Sequence, residues 1–191
     1  MTLGLKDMVI ESVTRPRDGA ARILAMPLSR EAVGTGFALV AVVNTILYSL
    51  SIMLFEATTG MMTGMNVPAL YLALLSAAML VGALAISWIG RAMGGRATVM
   101  QILPLVVWLQ ALRALAQLGL IGAMLIAPGL ANALSVGIGL FGLWLMANFL
   151  DVAQGWKSLG KSFLVMVLTG LGFVFGLSLF MALVGATAMG M

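Results

Sequence analysis

The chain goes long distances without a charge. Residues 32–55, 57–90, 114–150 and 162–191 contain no Asp, Glu, Lys or Arg. A helix needs roughly 20 predominantly apolar residues, at a rise of 1.5 Å each, to cross a bilayer. A soluble domain is about 25% charged; here the charged fraction is 8%, and the first 31 residues hold nine of the sixteen charges. The remaining 160 residues can hide their surface only in lipid. The fold class read from this pattern is all-α: a polytopic bundle of five transmembrane helices behind a short amphipathic N-terminal segment.

The span boundaries follow from charges and helix breakers. Residues 32–55 lie between Arg30-Glu31 and Glu56, with Ser29 placed to cap the first helix. The stretch Ala57–Asn66 is rich in turn formers, so the second span starts near Val67-Pro68, where proline suits a first helical turn, and runs to Gly90. The 37 residues from Ala114 to Leu150 would make one helix of about 55 Å, nearly twice the hydrocarbon thickness. Pro128-Gly129 is the natural break. The third span is thus 100–127, starting between Val99 and Pro104 and containing Arg113; the fourth is 130–150. After a charged segment, Asp151–Lys161, the fifth occupies 162–185. Residues 1–31 form a cytoplasmic segment, and 187–191 an extracytoplasmic tail.

Within residues 3–15, Leu5, Met8, Val9 and Val13 recur at helical spacing with Lys6, Asp7, Glu11 and Arg15 on other faces. This predicts an amphipathic helix on the membrane surface, ended by Pro16, with a second short helix over 18–26. The first apolar run is too long and too far from the start for a cleaved signal. Nine of ten basic residues fall before the first span, between the second and third, or between the fourth and fifth. Basic residues near span ends stay on the cytoplasmic side, so the N-terminus is expected in the cytoplasm of a bacterial inner membrane and the C-terminus outside. Trp88 and Trp156 adjoin these basic loops, as headgroup-level tryptophans do. The basic residues are too few and too close to spans to suggest nucleic acid.

Arg113 is the ionisable group deepest in a span, and such a group costs several kcal/mol unless something local answers it. Gln110, Arg113 and Gln117 share an arc of about 60° on the third helix, a face expected to point into the bundle. Asn44, Asn148 and Asp151 are candidate partners, with pairing expected between the third and fourth helices. Gln110, Arg113, Gln117, Asn148 and Asp151 are accordingly the candidate site for an anionic ligand or lipid headgroup, against a purely structural clasp. Gly172, Gly176, Ser178, Ala182 and Ala186 on the fifth span, with Ala78 and Gly82 on the second, have the small-residue spacing of close helix contacts. They are expected to mark packing within the bundle, a homo-oligomer remaining open.

Sixteen methionines raise cuprous copper, which soft thioethers suit. Met61, Met62 and Met65 cluster in the first outer loop, with Met189 and Met191 on the same face. Most methionines lie inside spans and no histidine or cysteine exists to join the cluster, so no metal and no cofactor is assigned. Without histidine or cysteine the common nucleophile and base pairs are unavailable, and the membrane part has two carboxylates, Glu56 and Asp151, at opposite faces. An enzyme is not expected.

Several short segments, namely Arg15-Pro16-Arg17-Asp18-Gly19-Ala20-Ala21-Arg22, Arg91-Ala92-Met93-Gly94-Gly95, Pro104, Gly155-Trp156-Lys157 and Lys161-Ser162-Phe163, lie around five spans. In this arrangement residues 14–186 resemble the bacterial branch of the Yip domain family, the Ypt-interacting integral membrane proteins. The resemblance implies a five-span bundle with a cytosolic N-terminus and, in eukaryotic members, association with prenylated small GTPases and membrane traffic or shaping. The Asp-Leu-Tyr-Gly-Pro motif and Gly-Tyr pair of those members are absent, the only tyrosines being Tyr48 and Tyr71. No GTPase contact is carried over. The expected role is a non-enzymatic scaffold or membrane-organising protein whose partners are the bilayer and other membrane proteins. The alternative is a small-solute transporter or lipid-handling protein using the polar face of the third span.

Overall fold

A computed structural model describes residues 4–55 and 67–188, excepting the side chains of residues 177 and 180–188. Seven helices occur in these residues: α1 (Leu5–Thr14), α2 (Pro16–Ala25), α3 (Arg30–Leu54), α4 (Pro68–Ala92), α5 (Val99–Ile126), α6 (Pro128–Gln154) and α7 (Leu159–Ala188). The last five are long and apolar enough to cross a membrane, and the chain is an all-helical, multi-pass membrane protein. The Met61, Met62 and Met65 cluster lies outside the described residues.

Local chemistry sets the helix ends. Ser29 caps α3 by accepting from the Ala32 N–H at 3.0 Å. Pro68 and Pro128 occupy the first turns of α4 and α6, where the missing N–H costs nothing. Thr98 and Gln101 cap α5, the Thr98 N–H donating to the Gln101 side chain at 2.9 Å. Pro104 sits inside α5, within its second turn. Pro16 both stops α1 and opens α2, which therefore begins two residues before the expected second helix.

α5 is the centre of the bundle, packed against α3, α4 and α6, while α7 closes the far side against α4 and α6. One buried cluster joins Val40, Met79, Ile86, Ile102, Leu150 and Val165. A second joins Ala20 and Ile23 of α2 to Leu105, Leu112, Leu145 and Phe149 of α5 and α6. The N-terminal pair is therefore seated on the bundle. α1 lies along α2, closely enough that Gly19 is required: a methyl group there would lie 2.8 Å from the Ser12 Cα.

α6 continues past the expected span end at Leu150, through Asp151 to Gln154; the Asp151 carboxylate is answered by Arg17 and the helix ends on Gly155 at φ 72°. Among the described residues nothing stands within 4 Å of where a Cβ would be at Gly172 or Gly176 of α7, whereas Gly82 on α4 does meet Phe173.

At the end of the bundle carrying the α4–α5 and α6–α7 connections, Gln154 acts as a pin. Its side chain, 1% exposed, accepts from the Ala97 N–H at 3.0 Å and donates to the Ile86 carbonyl at 3.3 Å, and its own carbonyl accepts from the Arg96 N–H at 3.3 Å. Gly90 and Gly95 make the space: a Cβ at either would collide with the Gln154 carboxamide. Ser87 adds a bond to the Ala97 carbonyl at 3.1 Å. In an apolar environment each such group left unpaired would cost about 1–3 kcal/mol, so the connection between α4 and α5 is fixed by the end of α6.

Candidate functional site

The polar stretch of α5 makes its hydrogen bonds with α3, and none with α6 among the described residues. Asn44 Nδ2 donates to the Gln110 carbonyl at 3.2 Å and to the Val40 carbonyl at 2.8 Å. Gln117 Nε2 donates to Ser51 Oγ at 3.2 Å. These bonds join the first and third spans, where pairing of the third with the fourth was expected. Beside them, Tyr48 and Tyr71 stack with ring centroids 3.9 Å apart.

Asn148 and Asp151 belong to a different place. Asn148 is buried and donates to the Trp144 carbonyl of its own helix at 2.8 Å. Asp151, 4% exposed, pairs with Arg17 Nη2 at 2.8 Å and accepts from the Ser158 N–H at 2.5 Å. Gln154 reaches Ala97 at the start of α5. In antiparallel helices this puts Asp151 some 20 Å along the axis from Arg113, too far for a direct pair. The five expected site residues are thus divided between the middle of α5 and the bundle's capped end.

The capped end is a polar clasp for the N-terminal helices. Arg17 holds α2 to α6. Trp108 Nε1 donates to Ser12 Oγ at 2.8 Å and holds α1 to α5, and Arg22 pairs with Glu11 at 2.8 Å between the two short helices. Arg17 is 52% exposed, so this pair adds less stability than its geometry suggests; the buried Ser12 and Asp151 are what require their partners. Ser12, Trp108 and Gln154 are not singled out by sequence, and Arg17 only as part of the Arg15–Arg22 segment. Their only signal was the concentration of polar groups at one end of the chain and one end of α6.

Arg113, Gln110 and Gln117 do share a site. They line a cavity of about 940 Å³ between α5 and α6, a volume within the range of ligand pockets. It runs from Val9 and Val13 of α1, past Ser51 and Phe55 of α3, to Asn132 and Ser135 near the start of α6. Its walls are chiefly Leu, Ile, Ala, Met and Gly. Among the described residues Arg113 forms no ion pair and no hydrogen bond, and Tyr71 is a polar group within its electrostatic range. Gln110 Oε1 is buried with no hydrogen-bond partner among the described residues. Among the described residues no three His, Cys, Asp or Glu side chains are placed to hold a metal ion.

Comparison with known proteins gives one informative result. The family model for the Yip1 domain matches residues 10–180, from the second half of α1 through most of α7. No curated protein and no solved structure matches the chain significantly.

Proposed function

Since the chain belongs to the Yip1 domain family, we propose that it is a non-enzymatic protein of a bacterial cytoplasmic membrane that organises the bilayer around it. The observation carrying this reading is the docked N-terminal pair. α1 keeps Leu5, Ile10 and Val13 exposed, at 69%, 49% and 40%, while Ser12 and Met8 face the bundle and Glu11 is held by Arg22. A helix with one apolar flank free and one polar flank in water lies in the headgroup layer. Seven helices then occupy one leaflet and five the other, which makes the molecule a wedge. Other membrane proteins, or a second copy of the chain, would be recruited to the same face.

The wedge is tested in reconstituted vesicles. Wild-type protein is expected to favour small or tubulated vesicles by electron cryomicroscopy. Leu5→Glu with Ile10→Glu keeps the clasp but removes the inserting flank, and is expected to leave vesicles spherical. Equal vesicle shapes for the two proteins would defeat the reading.

Orientation follows from the basic residues and is tested separately. The chain has no cysteine, so Thr63→Cys and Gly160→Cys report cleanly. An impermeant maleimide added to intact cells is expected to label position 63 and spare position 160. Labelling of both from one side would overturn the five-pass threading.

A further inference from the structure

The geometry points to the α5–α6 cavity as a binding site, in the middle of the bundle, for one small monocarboxylate that carries a hydroxyl group and an apolar substituent. Its carboxylate lies on Arg113, its hydroxyl donates to Gln110 Oε1 and its substituent lies against the apolar wall. This does not rest on the wedge proposed above.

Depth comes first. Ser87 and Gln154 both bond to Ala97, which holds the clasped ends of α4, α5 and α6 at one level. Arg113 is 16 residues beyond Ala97, about 24 Å, and 13 residues, about 20 Å, short of Ile126 at the other end of α5. It is nevertheless exposed where it lines the cavity. A cation held so far inside a span marks a ligand or ion path unless a protein group answers it. Among the described residues none does: Arg113 has no ion pair, and Tyr71, within its electrostatic range, is a phenol and so uncharged near neutral pH.

The ligand class follows from what the site lacks. A guanidinium matches the planar fork of a carboxylate, and one monoanion leaves the pair neutral, whereas a phosphate dianion would leave a net charge away from water. Gln110 Oε1, one turn away on the same helix, is a buried acceptor with no donor among the described residues. A hydroxyl supplies that donor without adding charge. An ammonium would restore the charge that the carboxylate had cancelled, and chloride has no donor to offer. The apolar wall of α6 sets the size of the remainder. It runs from Leu145 to Asn132, and the Arg96–Gln154 backbone contact puts Arg113 level with about Ile138, so each side extends about 10 Å. That length takes a branched or aromatic substituent and falls short of the roughly 15 Å of hydrocarbon in one leaflet.

The test titrates the purified full-length chain in mild detergent with phenyllactate, with phenylpropanoate, which lacks the hydroxyl, and with lactate, which lacks the ring, each read by isothermal calorimetry. Phenyllactate is expected to bind one to one and the other two at least about tenfold more weakly. Arg113→Gln should weaken phenyllactate by about tenfold or more. Gln110→Met keeps the side-chain length without the acceptor, and should bring phenyllactate and phenylpropanoate to equal affinity. Gly139 lines the cavity near the level of Arg113 with nothing within 4 Å of its Cβ position, so Gly139→Leu should abolish binding without disturbing the fold, which covers the case in which Arg113→Gln is unstable. No binding of phenyllactate at millimolar concentration, equal wild-type affinity for the two aromatic acids, unchanged binding in Gly139→Leu, or full displacement by millimolar chloride or inorganic phosphate would overturn the assignment.

Discussion

Replacing Gly90 by alanine is expected to lower the unfolding midpoint of the detergent-solubilised protein sharply, at a cost of about 3–5 kcal/mol from overpacking together with a lost buried hydrogen bond. In an unobstructed helix the same change would stabilise by up to about 1 kcal/mol, so the sign itself is diagnostic. The new methyl group meets the Gln154 carboxamide. That group cannot retreat without abandoning the Ala97 N–H and the Ile86 carbonyl. Gly95→Ala meets the same obstacle, with the Gly90 carbonyl only 2.8 Å from the added carbon. A double-mutant cycle isolates the cause. In a Gln154→Ala background, Gly90→Ala should cost less than about 1 kcal/mol, because the obstructing group is gone. Equal losses in both backgrounds would mean that the pin is not what Gly90 accommodates.

Gly19→Ala should release α1 while leaving the five long helices intact. The added carbon would lie 2.8 Å from the Ser12 Cα, a backbone atom that can yield only if α1 moves as a whole. Moving it breaks the Trp108–Ser12 bond and strains the Arg22–Glu11 pair. A ten-residue helix is marginal by itself in water. Amide-exchange protection over residues 5–14 is therefore expected to fall by roughly 100-fold, with protection of α5 and α6 unchanged. Undiminished protection in α1 would show that the close approach at Gly19 is not what holds α1 in place.

The contrast between these two positions and the spans shows what was readable in the chain. Lipid as solvent imposes a length and a charge rule that each segment must satisfy by itself, so the five long helices follow from sequence. Ser29, Pro68 and Pro128 act within a single turn and were legible for the same reason. Gln154, Gly90 and Gly95 matter only because the end of α6 meets the start of α5, a proximity that no local pattern encodes. Arg113 and Asp151 were drawn together because one is a cation in a span and the other an acid on a polar stripe. Antiparallel packing separates their levels, and Arg17 from the N-terminal segment takes the carboxylate. The polar face of α5 was legible as a face; its direction, towards Asn44 and Ser51, depended on the order in which helices surround α5.

The ion pair between Arg17 and Asp151 spans 134 residues. At about 5–20 residues per second, those residues take roughly 7–27 s to synthesise. Throughout that interval α2 has been made but its seat on α6 has not, and Ser12 waits likewise for Trp108. α1 and α2 thus leave the ribosome well before the surfaces on which they settle. During biogenesis the N-terminal segment is an unattached amphipathic tether, available to the membrane surface or to a chaperone before the finished bundle claims it.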